Sequence, residues 1–314
     1  MIIRIILTLS IPLTIVATSS ADQSASSQAQ HRLFLDTADG QLDQFSLFQA
    51  AMLCTAPDAR VPTGWQRRFQ WHAEQCARLI PANTSSDQRA ELVFRYLHDQ
   101  ILTSGYNENT NCVLQTLQSG NFNCITSTLL YICLCRECGL NARAVAVPNH
   151  VLVRLPLPAG PLVETTHPSF TLLNPHDRRI PQIHLSQELS DVALLGRLYY
   201  NQAIRLAHQN QYAQALTAAS RSCQLDRFDS SARVNMLATI NNWAIALCAQ
   251  GDYPQAAHLV LRGLLIDSNY GPLTANDVYV HQKWITALRR HGNHLQADQI
   301  SKELQGRILE RNGG

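Results

Sequence analysis

Two periods run along this chain. Apolar positions recur at helical spacing over residues 44–56, 64–80 and 86–103, through Leu47, Ala51 and Leu53, then Trp65, Phe69 and Cys76, then Leu92, Tyr96 and Leu97. Asn83 or Ser85 is placed to cap the third helix, with Asp87 and Glu91 in its early turns. A loop rich in Gly and Asn follows, over 104–111. The apolar run LLYICLCRECGL predicts a fourth helix, with Gly139 placed to end it. Beyond it the period shortens to that of strands, at 144–147, 151–155 and 162–166. The last two flank Pro156-Leu-Pro-Ala-Gly-Pro161, a turn signal that predicts an antiparallel hairpin. Helices first and an antiparallel sheet afterwards give an α+β class for residues 32–190.

From residue 194 to 306 the pattern is helical throughout and repeats. Asn210-Gln-Tyr-Ala-Gln-Ala215, Gly251-Asp-Tyr-Pro-Gln-Ala256 and Gly292-Asn-His-Leu-Gln-Ala297 lie 41 residues apart, as do Trp243 and Trp284. A fixed period of two helical stretches around a polar turn predicts an all-α helical-repeat domain. It resembles tetratricopeptide repeats. Ala203 and Ala215 fall where that family places small residues, and Leu225-Asp226 falls where its motif ends. Arg227 and Ser268 replace the Pro that usually follows, and the period is longer than the family's.

Residues 1–21 carry one cation, Arg4, an apolar stretch and then small residues, with Ser19 and Ala21 spaced like a leader-peptidase site. This predicts a signal peptide and an exported protein, periplasmic or extracellular. The same residues, if retained, would act as a membrane anchor. Residues 22–31 are rich in Ser, Gln and Ala and read as a flexible tether. Charged residues are 15% of the chain and the net charge is +2, with no basic stripe, which argues against a nucleic-acid partner.

Export puts nine cysteines in an oxidising compartment, and an odd count leaves at least one thiol free or paired between chains. Cys133, Cys135 and Cys138 form C-x-C-x-x-C inside an apolar helix and read as buried structural thiols. A disulfide among them is geometrically poor on one helix. No metal or cofactor is expected. The cluster lacks a second ligand pair, and His167 with His176 is a weak metal pattern. A thiol-redox role would need C-x-x-C at a helix start in a thioredoxin-type context, which is missing.

The chemistry gathers around Cys124. Asn121 or Asn123 is placed to cap the helix that Cys124 opens. A thiol there faces the positive helix end, which favours the nucleophilic thiolate, and free backbone amides nearby would hold an oxyanion. His150 opens the first hairpin strand, and Glu164 lies in the partner strand. A turn centred near residue 158 brings the two within reach, directly or with a slip in register. A Cys–His pair oriented by a carboxylate is the logic of an activated thiol. Asn174 and Asp177 are rival orienting groups, and Gln118 is a candidate oxyanion donor.

This arrangement resembles the transglutaminase-like superfamily. The resemblance rests on Cys124, Leu129-Leu130, Arg136, Gly139-Leu140, Ala142-Arg143, Val145 and His150, over residues 86–170. It implies Cys124 as nucleophile, His150 as general base and Glu164 as orienting carboxylate. Glu164 stands where the family commonly has Asp, and Leu152 where an aromatic is common. The implied function is thiol-dependent acyl transfer, as a peptidase, amidase or transamidase, with the repeats binding a protein or peptide partner. The alternative is a non-catalytic scaffold that binds partners through its repeats.

Overall fold

The computed structural model describes residues 20–55, 63–110, 112–174 and 186–312. The predicted signal segment therefore lies outside the described residues up to position 19, as do His176 and Asp177. No helix among the described residues is long and apolar enough to cross a membrane.

The three predicted N-terminal helices form as α2 (Leu47–Thr55), α3 (Thr63–Arg78) and α4 (Ser86–Gln100), after a helix α1 (Ser20–Asp36). The stretch read as a tether thus falls within α1. Ala and Gln are good helix formers, and the C-terminal end of α1 has a place to pack. Leu33 is fully buried there, and Gln30 donates to the Leu53 carbonyl at 3.0 Å.

A short helix α5 (Val113–Ser119) and two short strands, β1 (Gly105–Tyr106) and β2 (Asn121–Phe122), frame the helix that carries Cys124, α6 (Cys124–Glu137). The strands pair in parallel and pin the Gly/Asn-rich loop beside the start of α6. Gly120 makes that pairing possible. Its φ is +75°, and a Cβ on it would meet Thr103 Oγ1 and approach the Ser104 backbone nitrogen to 3.0 Å. We expect Gly120→Ala to cost about 1–3 kcal/mol through backbone strain and this clash. Urea unfolding followed by circular dichroism would check it, and a midpoint equal to wild type would contradict it.

Among the described residues the sheet has five strands in the order β6-β5-β4-β3-β7, every neighbour antiparallel. They are β3 (Arg143–Val147), β4 (His150–Arg154), β5 (Leu162–Val163), β6 (Leu172–Leu173) and β7 (Gln187–Leu189). The predicted hairpin is β4–β5. A second hairpin, β3–β4, turns through Pro148-Asn149, with Asn149 at φ +60°. Asn tolerates this left-handed conformation better than most residues.

Six helices follow as three hairpins. They are α7 (Asp191–His208) with α8 (Tyr212–Leu225), α9 (Ser230–Gln250) with α10 (Tyr253–Ile266), and α11 (Gly271–Arg290) with α12 (His294–Asn312). The second helices start at Tyr212, Tyr253 and His294, on the period read from the sequence. The region is consistent with helical repeats. Packing and period nonetheless divide the chain differently. One hydrophobic core runs from Leu33 to Leu225, so α7 and α8 pack on the α+β part, and a separate core starts at Leu237. A two-pronged ion pair from Arg136 on α6 to Asp191 at the start of α7, at 2.5 and 2.8 Å, fixes that junction.

All nine cysteines are free thiols in the structure. Cys133, Cys135 and Cys138 are buried, and Cys138 Sγ lies 3.8 Å from Cys76 Sγ of α3.

Candidate active site

The first turn of α6 is built by Asn123. Its side-chain oxygen accepts from the amides of Ile125 and Thr126, both at 3.0 Å, while Thr126 Oγ1 accepts from the Asn123 amide at 3.1 Å. This is a reciprocal capping box. It accounts for three of the four donors that a helix start leaves over. The fourth is the amide of Cys124 itself. The oxyanion donor expected from the helix start is therefore a single backbone amide, not a free cluster.

Cys124 is half-buried, and His150 stands beside it. His150 Nε2 donates to Glu164 Oε2 at 2.5 Å, and Cys124 is a second polar neighbour of the ring. Glu164 Oε1 accepts from the Thr166 amide at 2.8 Å and from Thr166 Oγ1 at 2.6 Å. Burial of the His150 ring pulls its pKa down. Hydrogen bonds and charge from Cys124 and Glu164 outweigh that and lift it to about 10. Burial pushes the Glu164 carboxyl up, but His150 and Thr166 together hold it below the usual carboxylate range. The structure thus brings the three predicted residues together, with His150 bonded to Glu164 and beside Cys124.

The register explains how Glu164 reaches. Val153 pairs with Val163 and Arg154 with Leu162, so continuing the ladder sets Glu164 opposite Leu152. That is diagonal to His150, a distance a long side chain covers. The extra methylene of Glu over Asp serves this reach, and Thr166 holds the far oxygen. The strand end is tied to α6 by Thr165, whose hydroxyl bonds Ser127 Oγ at 2.8 Å and Thr128 Oγ1 at 3.2 Å. His98 of α4 bonds the Thr165 carbonyl at 3.2 Å.

Two cavities flank Cys124, of about 550 and 490 Å³. The larger is lined by Tyr106, Glu108, Arg205 and His208, among others, and the smaller by His150, Arg197, Tyr200 and Ser231, among others. Helix α7 walls both. Tyr106 stacks edge-on against Phe122, and burial together with the charges of Cys124, Glu108 and Glu164 raises its pKa. It therefore stays a hydroxyl donor near the thiol.

Among the other candidates, Gln118 is exposed and lines neither cavity. Asn174 is exposed past β6, His167 accepts from the Ser169 amide at 3.2 Å, and Asp177 lies outside the described residues. No group of three metal-binding side chains gathers among the described residues. Thr165, Thr166, Tyr106 and the α7 residues were not assigned from the sequence. The Thr-Thr pair after Glu164 was the available signal.

A family model described as the transglutaminase-like superfamily matches residues 64–217. Residues 64–217 form a transglutaminase-like domain. The match begins in α3 and runs through α7 into α8, so it includes the wall of the cleft. No curated protein and no solved structure matches the chain.

Glu164 gives a direct spectroscopic test. His150 should titrate near 10 by imidazole NMR, and in Glu164→Gln its midpoint should fall toward the ordinary 6.5. The sign for stability follows. His150's contribution is complete below its unfolded value and is lost as pH rises through about 10. An unchanged midpoint in the variant would remove Glu164 from its role.

Proposed function

We propose that this chain is an exported, thiol-dependent acyl-transfer enzyme, a peptidase or amidase or a transamidase, whose helical repeats bind a protein or peptide partner. The observation that supports it most is the 2.5 Å bond from His150 to Glu164, with Cys124 beside the same ring. A scaffold has no need of a half-buried imidazolium held beside a thiol and an anchored carboxylate. Export rests on the leader-like sequence of residues 1–21.

The reaction follows from the placement. The Cys124 thiolate attacks an acyl carbonyl carbon and forms a C–S bond. The oxygen takes the negative charge and accepts from the Cys124 amide. Collapse breaks the bond to the leaving nitrogen, which receives the proton of His150. Water or an amine then attacks the thioester, His150 takes the proton back, and the thiolate is restored.

Trapping of the acyl-enzyme tests this. Incubation with a pool of N-acetyl-peptidyl p-nitrophenyl esters should add acyl mass to the wild-type protein, removable by hydroxylamine. Cys124→Ala should gain none. Equal adducts on both proteins, or none on wild type, would sink the enzyme reading in favour of the non-catalytic scaffold.

A further inference from the structure

The two cavities meet at Cys124. Four residues line both: Cys124, Asn149, Asn201 and Ile204. They form a neck, with Asn149 supplied by the β3–β4 turn and Asn201 by α7. His150 lines only the smaller chamber, and His208 only the larger. Asn149 is exposed and Asn201 half-buried, and neither carboxamide is hydrogen-bonded to another described residue, so both are open to a ligand.

These facts carry a direction. The leaving nitrogen takes its proton from His150, so it must sit in the chamber that His150 lines. The acyl group then occupies the other chamber. A carboxamide offers one acceptor and an N–H₂ donor, the same complement as a peptide unit. Two such groups beside the nucleophile match the backbone amides on either side of a scissile bond. We infer that the chambers are the two halves of one peptide-binding cleft, with the acyl half on the His208 side, the leaving-amine half on the His150 side, and Asn149 and Asn201 as positioning residues that hold the substrate backbone across the neck. This rests on the acyl-transfer reading above and adds a substrate class, an extended peptide, and its polarity. It also makes α7 part of the cleft, which the helical repeats would otherwise leave to partner binding alone.

Two thiol reagents separate the inference from its foundation. Iodoacetamide reports only the reactivity of Cys124. A pool of N-acetyl-dipeptidyl chloromethyl ketones reports reactivity plus occupancy of the acyl half, because the thiolate displaces chloride to form a thioether while the peptide lies on the acyl side. The quantity to follow is the ratio of the second rate constant to the first. It should fall about tenfold in Asn201→Ala, the size expected for losing one or two hydrogen bonds. Asn149→Gly, which keeps the left-handed turn, should lower it similarly. His208→Trp, which fills the acyl half, should lower it as well. No peptidyl advantage in wild type, or a ratio untouched by the Asn variants, overturns the peptide cleft. A ratio lowered by Ser231→Trp but not by His208→Trp overturns the polarity. If iodoacetamide shows no preference for Cys124 in wild type, the activated thiol itself fails, and the inference falls with it.

Discussion

Iodoacetamide should label Cys124 ahead of the other cysteines at pH 6, and His150→Ala should slow that labelling by about 10²-fold, the low end of what a positioned acid–base group contributes. Burial pushes Cys54 up to about 12 and raises Cys133 and Cys135 further, which holds those three thiols back. His150 keeps its proton until about pH 10, so the imidazolium beside Cys124 persists through neutrality. Glu164 stays ionised below the usual carboxylate range, which preserves the arrangement in mild acid. Peptide mapping by mass spectrometry over pH 5–9 reads all the sites at once. Uniform labelling, or a His150→Ala protein that behaves as wild type, would remove the catalytic role of the pair.

The last helical hairpin should come apart when Asp277 is removed. Asp277 is fully buried on α11, and four bonds converge on its carboxylate: His281 at 3.0 Å, Arg307 at 3.3 Å to each oxygen, and Arg311 at 2.6 Å. Burial opposes its charge, but these donors outweigh that and hold the carboxyl well below the usual range. Deleting one side of a buried ion network leaves the others uncompensated and costs about 3–5 kcal/mol. Asp277→Ala should lose that much, read as faster amide exchange across α11 and α12. In wild type the same contribution is present above the ordinary carboxylate pKa and is lost on acidification below it. Neither α11 nor α12 lines the cleft, so labelling of Cys124 in Asp277→Ala should follow wild type. A change in both readouts would mean the helical region is one cooperative unit with the site.

The sequence by itself determined the parts that depend on neighbours in the chain. Asn123 caps α6 because an Asn before an apolar run satisfies the first amides, and this alone puts Cys124 in the first turn. His150 opens β4, and the Pro-rich turn returns the chain antiparallel, so Glu164 comes near it. The helical hairpins keep their period because each reuses the same small and apolar positions.

Tertiary structure decided what depends on distant segments. The exact pairing of β4 with β5 set Glu164 diagonal to His150, and a slip of one residue would have turned it to the other face. Thr165 and Thr166 became anchors only because α6 runs past them. The parallel pairing of β1 with β2, too short to leave a pattern, brought Tyr106 to the thiol. Helix α7 reads as the first repeat in sequence, yet its apolar face packs on the α+β core and its polar face walls the cleft. Periodicity reports that a helix has an apolar face, and only the packed molecule decides which surface that face meets.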